Sequence, residues 1–150
     1  MEVETTLLMI KPDAVQRSLI GQIISRIEDK GLKIVGLKMI QLTETLVDQL
    51  YDIHIEKEFY PILKAFILSG PIVSVAVQGK NAIKVVRKMC GVTNSPEARP
   101  GTIRGDFGLD LTKNIVHSSD AEERAMYELS VLFSKDDILN YDLINENWIR

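Results

Sequence analysis

The chain holds two histidines, and one of them, His117, sits in Asn114-Ile115-Val116-His117-Ser118-Ser119-Asp120, where an apolar run meets residues that cap helices. An imidazole is largely neutral near pH 7. One ring nitrogen then offers a lone pair while the other can be fixed by a hydrogen bond, so the ring can serve as a nucleophile or a base. Ile115 and Val116 read as the end of a buried strand. Ser119, Asp120 and Glu122 read as the opening of a helix, with Ser119 and Glu122 at capping-box spacing. The first amides of such a helix present unpaired N–H groups and the positive end of a dipole, which attract an anion, with phosphate the natural candidate. The plain alternative is a histidine hydrogen-bonded to its neighbours in the core or a loop.

Other side chains could complete a phosphate site. Lys11 follows the apolar run from Thr5 to Ile10 and precedes Pro12, which ends the strand and leaves the lysine at its tip. Pro100-Gly101-Thr102-Ile103-Arg104-Gly105-Asp106 combines turn formers, a hydroxyl and a guanidinium, a composition suited to holding phosphate. Arg87 lies off the apolar side of its helix. Glu128 lies at the edge of a helical apolar face, from which its carboxylate could point back at the imidazole. Phe59 and Tyr60 form an aromatic corner in which one ring is either core or an exposed platform for a flat ligand. Lys11, Arg104 and Glu128 each have the ordinary reading of a solvated charge, and Cys90 that of a small buried hydrophobe.

The elements that must position these groups follow from periodicity. Strands are expected over Thr5 to Ile10, Leu32 to Leu42 and Ile72 to Val77, and ending at Val116. Helices are expected over Leu19 to Lys30, from Thr43-Glu44, from Pro61 to Ser69-Gly70, over Lys80 to Met89, and from Asp120 onward. Gly91 to Lys113 has no period, and a loop that long within a compact domain is often functional. The order predicts an α+β fold, a ferredoxin-like sandwich with a four-stranded antiparallel sheet and helices packed on one face. At 150 residues, one domain over 1–150 is expected. The net charge of −3 argues against a broad grip on nucleic acid or on an anionic membrane. No apolar run reaches the roughly 20 residues needed to span a bilayer. The single cysteine agrees with a reducing, cytoplasmic setting. There is no GxxxxGK[ST] loop, no GxGxxG after the first strand and no HExxH, so those common nucleotide and zinc devices are excluded.

Taken together, Lys11-Pro12-Asp13 with Gln16-Arg17 and Gly21, the Ser69-Gly70-Pro71 turn, Arg87 with Gly91-Val92-Thr93-Asn94, the Pro100 to Phe107 segment, Asn114 to Asp120 and a tail carrying Trp148 closely resemble the nucleoside diphosphate kinase family. The resemblance covers nearly the whole chain. It implies transfer of a γ-phosphoryl group from a nucleoside triphosphate to a nucleoside diphosphate, in ping-pong fashion, through a phosphohistidine on His117. By the same resemblance Glu128 and Ser119 orient the ring, and Lys11, Arg87, Thr93 and Arg104 match phosphate and sugar ligands. His54 matches a position reaching the α-phosphate, and Asn114 with Lys11 would hold the ribose hydroxyls. Phe59 would stack on the base beside Leu63 and Leu111, which tolerates any base. Tyr51 matches a wall of the site. Mg²⁺ would arrive with the nucleotide and need no protein cage. The resemblance also implies a homo-oligomer, a hexamer with a tetramer as the alternative.

The chain departs from the family pattern at four places. Ser118 replaces a glycine, Ala121 a serine and Glu58 a proline, and the loop proline is shifted by one at Ser95-Pro96. Ser118 matters most, because a backbone needing positive φ there would be strained. It alone favours a second reading, a nucleotide-binding regulatory or nucleic-acid-binding protein with the same fold and little turnover.

Overall fold

The computed structural model describes residues 3–149. Its strands are β1 (Val3–Ile10), β2 (Lys33–Ile40), β3 (Ile72–Lys80) and β4 (Val116–Ser118). Its α-helices are α1 (Pro12–Gln16), α2 (Ile20–Asp29), α3 (Glu44–Leu50), α4 (Tyr60–Leu68), α5 (Ala82–Cys90), α6 (Ile103–Phe107) and α7 (Glu122–Leu132). The four strands form one antiparallel sheet in the order β2-β3-β1-β4.

The central strand explains the architecture. Leu7, Leu8, Met9 and Ile10 are all fully buried, and alternate side chains of a strand point to opposite faces. Leu8 and Ile10 join Val73, Val75 and Val77 against Ile23 and Ile27 of α2 and Val86 and Cys90 of α5. Leu7 and Met9 join Ile72 and Ala76 against Val47 and Leu50 of α3, Ile67 of α4 and Leu129 and Leu132 of α7. Helices therefore cover both faces, not one as the element order suggested. The sign was an apolar run without polar alternation, which marks a strand buried on both sides.

Two short helices escape the periodic reading. Pro12 stands at the first position of α1, where its missing N–H and fixed φ do no harm. Thr102 caps α6, its Oγ1 accepting from the Gly105 amide at 3.0 Å. Gly105 is required there, since a Cβ would lie 1.9 Å from the Arg99 carbonyl oxygen. The expected capping box does not form: α7 begins at Glu122, and its N-cap residue Ala121 makes no side-chain cap. The Ser119 hydroxyl is used elsewhere, as described below.

Candidate active site

β4 has only three residues, but it pairs with the central strand, Met9 opposite His117 and Leu8 opposite Ser118. That register fixes the height of the imidazole. The approach to it is strained. Ile115 is fully buried with φ +79°, and Val116 N–H donates to the Asn114 carbonyl at 2.9 Å, closing a γ-turn. A β-branched residue in this region costs on the order of 1–3 kcal/mol and persists only where neighbours impose it. Here they do: Ile115 N–H donates to Asp13 Oδ2 at 3.1 Å, and its carbonyl accepts from Lys11 N–H at 2.9 Å.

Glu128 of α7 comes back to the ring, as its place on the helix edge predicted. Its carboxylate is 3% exposed. Oε1 lies 2.9 Å from His117 Nε2 and accepts from Ser119 Oγ at 2.7 Å. Burial alone would raise this carboxyl's pKa, but the hydrogen bond and charge of His117, with Ser119 and Arg124, outweigh it and hold it below the usual value. An ionised carboxylate can only accept, so Nε2 carries a proton, and in the neutral ring Nδ1 holds the lone pair. The ring and the serine hydroxyl thus meet at one carboxylate oxygen.

Facing that pair is a cluster of cations. Lys11 is buried, and its Nζ donates to Asn114 Oδ1 at 2.7 Å. Asn114 Nδ2 in turn donates to the Thr93 carbonyl at 3.2 Å. Arg104, also buried, donates to the carbonyls of Asn114, Gly91 and Val116 at 3.1, 2.8 and 2.6 Å, tying three loop segments around one guanidinium. Arg87 Nη1 donates to the Ser118 carbonyl at 3.2 Å. Among the described residues, no carboxylate lies within 4.0 Å of Lys11, Arg87 or Arg104. Burial, then the neighbouring Arg104, lowers the Lys11 pKa from 10.5 to about 7, against a smaller opposing pull from Asp13. The ammonium thus lacks an anion.

These groups line a cleft of about 490 Å³. Its other wall is aromatic: the Phe59 and His54 rings are 5.5 Å apart, and Tyr51 meets His117 edge-on at 5.6 Å. Phe59 is half exposed while Tyr60 is buried, so of the two rings Phe59 is the one open to the cleft. Leu63 and Leu111 stand beside it on the lining. Lys57 Nζ approaches His54 Nδ1 at 2.9 Å, so Nδ1 accepts and Nε2–H is left to donate. Burial, then Lys57, His117 and Arg124, lowers the His54 pKa. A neutral donor results.

The structure thus brings together Lys11, His54, Phe59, Arg87, Thr93, Arg104, Asn114, His117 and Glu128 on one lining, with Ser119 behind Glu128. Arg124 was missed. It lines the cleft and donates to Glu128 Oε2 at 3.3 Å, and the i, i+4 spacing of the two residues on α7 was the available signal. Ser118 turns out harmless to the backbone: it is paired within β4, and positive φ outside glycine occurs, among the described residues, only at Ser18, Asn81 and Ile115. The feature behind the low-turnover reading therefore carries no strain.

Residues 4–138 match the profile of the family described as nucleoside diphosphate kinase. A relative of that name from Archaeoglobus fulgidus is 51% identical over 146 residues, 97% of each chain. One from Staphylococcus epidermidis is also 51% identical, over 97% of this chain and 98% of its own. Among solved structures, the halophilic nucleoside diphosphate kinase from Halobacterium salinarum in complex with CDP superposes with a TM-score of 0.97 at 40% identity, over 99% of both chains.

Proposed function

The chain belongs to the nucleoside diphosphate kinase family, and we propose that His117 is the residue through which its cleft passes the phosphoryl group. The protein is a phosphotransferase acting between nucleotides. The observation that carries the histidine assignment is the bond between Nε2 and Glu128 Oε1, at 2.9 Å, which leaves Nδ1 of the neutral ring with the lone pair in the cleft that Lys11, Arg87 and Arg104 also line. Nδ1 attacks the γ-phosphorus, the bond to the β,γ-bridging oxygen breaks, and the diphosphate leaves with that electron pair. In the return step a β-phosphate oxygen of the acceptor attacks the same phosphorus, and the P–N pair returns to Nδ1. Glu128 stays ionised throughout and balances the positive charge on the ring.

Phosphoryl transfer needs placement and charge more than covalent help. Lys11, Arg87 and Arg104 supply charge for the β- and γ-phosphates. Thr93 and His54 Nε2–H would donate to the phosphate chain. Asn114 with Lys11 would hold the ribose hydroxyls, and Phe59 would take the base, without contacts to the base edge that would choose among nucleotides. Mg²⁺ would come on the phosphate oxygens and neutralise their charge. The lining fits an ion carried in this way: Glu128 has both oxygens engaged, and Asp120 is the other carboxylate on the cleft, suited to a metal-bound water.

A homo-oligomer, a hexamer or else a tetramer, is supported by the β2 edge, where Leu37 and Met39 are 53% and 61% exposed. One domain is supported by the central sheet shared between the two cores. Among the described residues no helix is long and apolar enough to cross a membrane, and a cytoplasmic setting rests on the lone buried cysteine. The direct test is incubation with γ-labelled ATP and Mg²⁺. Acid-labile label on His117 is expected in the wild type and none in His117→Ala; label that survives the substitution would overturn the assignment.

A further inference from the structure

Glu128 is a buried carboxylate with two oxygens to satisfy. Oε1 is taken by His117 and Ser119. Oε2 receives Arg124 alone among the described residues, from Nε at 3.4 Å and Nη2 at 3.3 Å. The same guanidinium reaches the opposite wall. Its Nη1 donates to Asp52 Oδ1 at 3.0 Å and its Nη2 to the Leu50 carbonyl at 3.2 Å. Leu50 ends α3, and Asp52 opens the turn 52–54 that carries His54, with Tyr51 between them. One planar fork therefore joins the carboxylate that orients the ring to the segment that faces the nucleotide.

We propose that Arg124 is a positioning residue for phosphoryl transfer: by clamping Glu128 Oε2 to Asp52 and the Leu50 carbonyl, it makes the aim of His117 depend on the placement of the 50–54 wall. The inference rests on His117 being the phosphoryl acceptor. A fork with donors at fixed angles can hold two acceptors at once, which an ammonium on a flexible stem does less well. Without Arg124, Oε2 is left without a donor in a buried position, and a proton becomes the cheapest partner for it. A protonated Glu128 meets Nε2–H only with a neutral acceptor and no longer balances charge on the ring, so the tautomer that keeps the lone pair on Nδ1 is held less firmly.

The sign of the pH effect follows. Glu128 is faced by His117 from β4, Ser119 beyond it, Arg124 on α7 and the Tyr51 hydroxyl after α3. Burial pulls its pKa up, and His117, Ser119 and Arg124 pull it down. Losing one of the latter raises it, so the acid limb of phosphohistidine formation moves to higher pH.

The experiment is single-turnover labelling with γ-labelled ATP and Mg²⁺ over a pH series, with nucleotide affinity measured alongside. Arg124→Gln is expected to slow labelling about ten-fold at neutral pH and to raise the acid limb by about one pH unit, with affinity little changed. Arg124→Lys should recover part of the rate. Asp52→Asn, which weakens the far end of the clamp by removing its charge on an exposed side chain, should move the limb the same way by less, and its effect should not add to that of Arg124→Gln. An unmoved limb in Arg124→Gln overturns the proposal. So does a loss of affinity with rate and limb intact, which would make Arg124 a phosphate ligand instead. A wild-type protein that takes no label overturns the phosphohistidine reading and this inference with it.

Discussion

On one side of the cleft, Lys11, Arg87 and Arg104 bring three positive charges together with no carboxylate in ion-pair reach among the described residues, and Lys11 is driven to a pKa of about 7. On the other side, His117, Ser119, Glu128, Arg124 and Asp52 form a chain in which every charge has a partner. Each group mixes buried members with an exposed one, Arg87 on the first side and Asp52 on the second, so dielectric does not separate them. What separates them is whether the protein supplies the counter-charge. The cation side is unfavourable when empty and becomes favourable with a polyanion in place. The paired side is satisfied at all times, and its task is to keep one nitrogen aimed.

The largest effect should come from breaking the cation side. Lys11→Met keeps the length of the side chain and removes the charge. Transfer is expected to fall by about 10²- to 10³-fold, the usual loss when one preorganised charge donor is removed. The same variant should be more stable when empty. Lys11 has a folded pKa of about 7 against an ordinary lysine value of 10.5, so the unfolded chain binds the extra proton between those limits. The destabilisation is fully present below about 7 and disappears as pH rises through 10.5, since stability rises with pH wherever the unfolded state holds more protons. Thermal melting near neutral pH should therefore show a gain for Lys11→Met that shrinks as the pH is raised. Triphosphate binding to the wild type, which restores the ammonium, should take up close to one proton at a pH between those limits, as read by calorimetry in buffers of different ionisation enthalpy. A less stable Lys11→Met, or binding without proton uptake, would erase the contrast between the two sides.

The paired side should respond differently. Glu128→Gln keeps the shape and can still accept one bond, but it cannot balance a charged ring. Labelling of His117 should slow by about 10- to 100-fold, as for other residues that orient a reactive imidazole. Nucleotide affinity should hold, because Glu128 holds the ring and leaves the phosphates to the cations. A variant that lost affinity and kept its rate would show that the two sides are not separate in function.

Much of this contrast was legible in the sequence, and the remainder was hidden for physical reasons. Strong periodicity located β1, α2, β3 and α5 within a few residues, and a histidine at the end of an apolar run located β4. The five-residue helices α1 and α6 were not visible, since one turn and a half shows no period. Covering of both sheet faces was written in Leu7 to Ile10 and was outweighed by the order of elements. Ser119 read as a helix cap because serine caps many helices; only the fold shows that Glu128 takes its hydroxyl. Arg124 carries only the i, i+4 spacing to Glu128 as a mark in sequence, a weak one because an arginine on a helix is ordinarily solvated, and Asp52 and Leu50, which make it a clamp, lie more than 70 residues away. The positive φ of Ile115 is equally silent, being imposed by Asp13 and Lys11 from another part of the chain.

The smallest effect should be at Ser118, on the strand that carries the histidine. Its hydroxyl is buried without a hydrogen bond of standard geometry, although it lies close enough to the Cys90 thiol to lower that group's pKa slightly against burial, which raises it. An unsatisfied buried hydroxyl costs about 1–3 kcal/mol, lessened here by the weak sulfur contact. Ser118→Gly removes that cost and replaces it with the backbone entropy of glycine in a strand, about 0.5–1 kcal/mol. The two nearly cancel. Backbone geometry gives no further reason for a change, since Ser118 does not occupy positive φ and the Arg87 bond is to its carbonyl. Melting temperature and labelling rate should both stay close to wild type. A large gain in rate would mean that the side chain at 118 restrains the ring, and that the paired side of the cleft extends one residue further than its hydrogen bonds indicate.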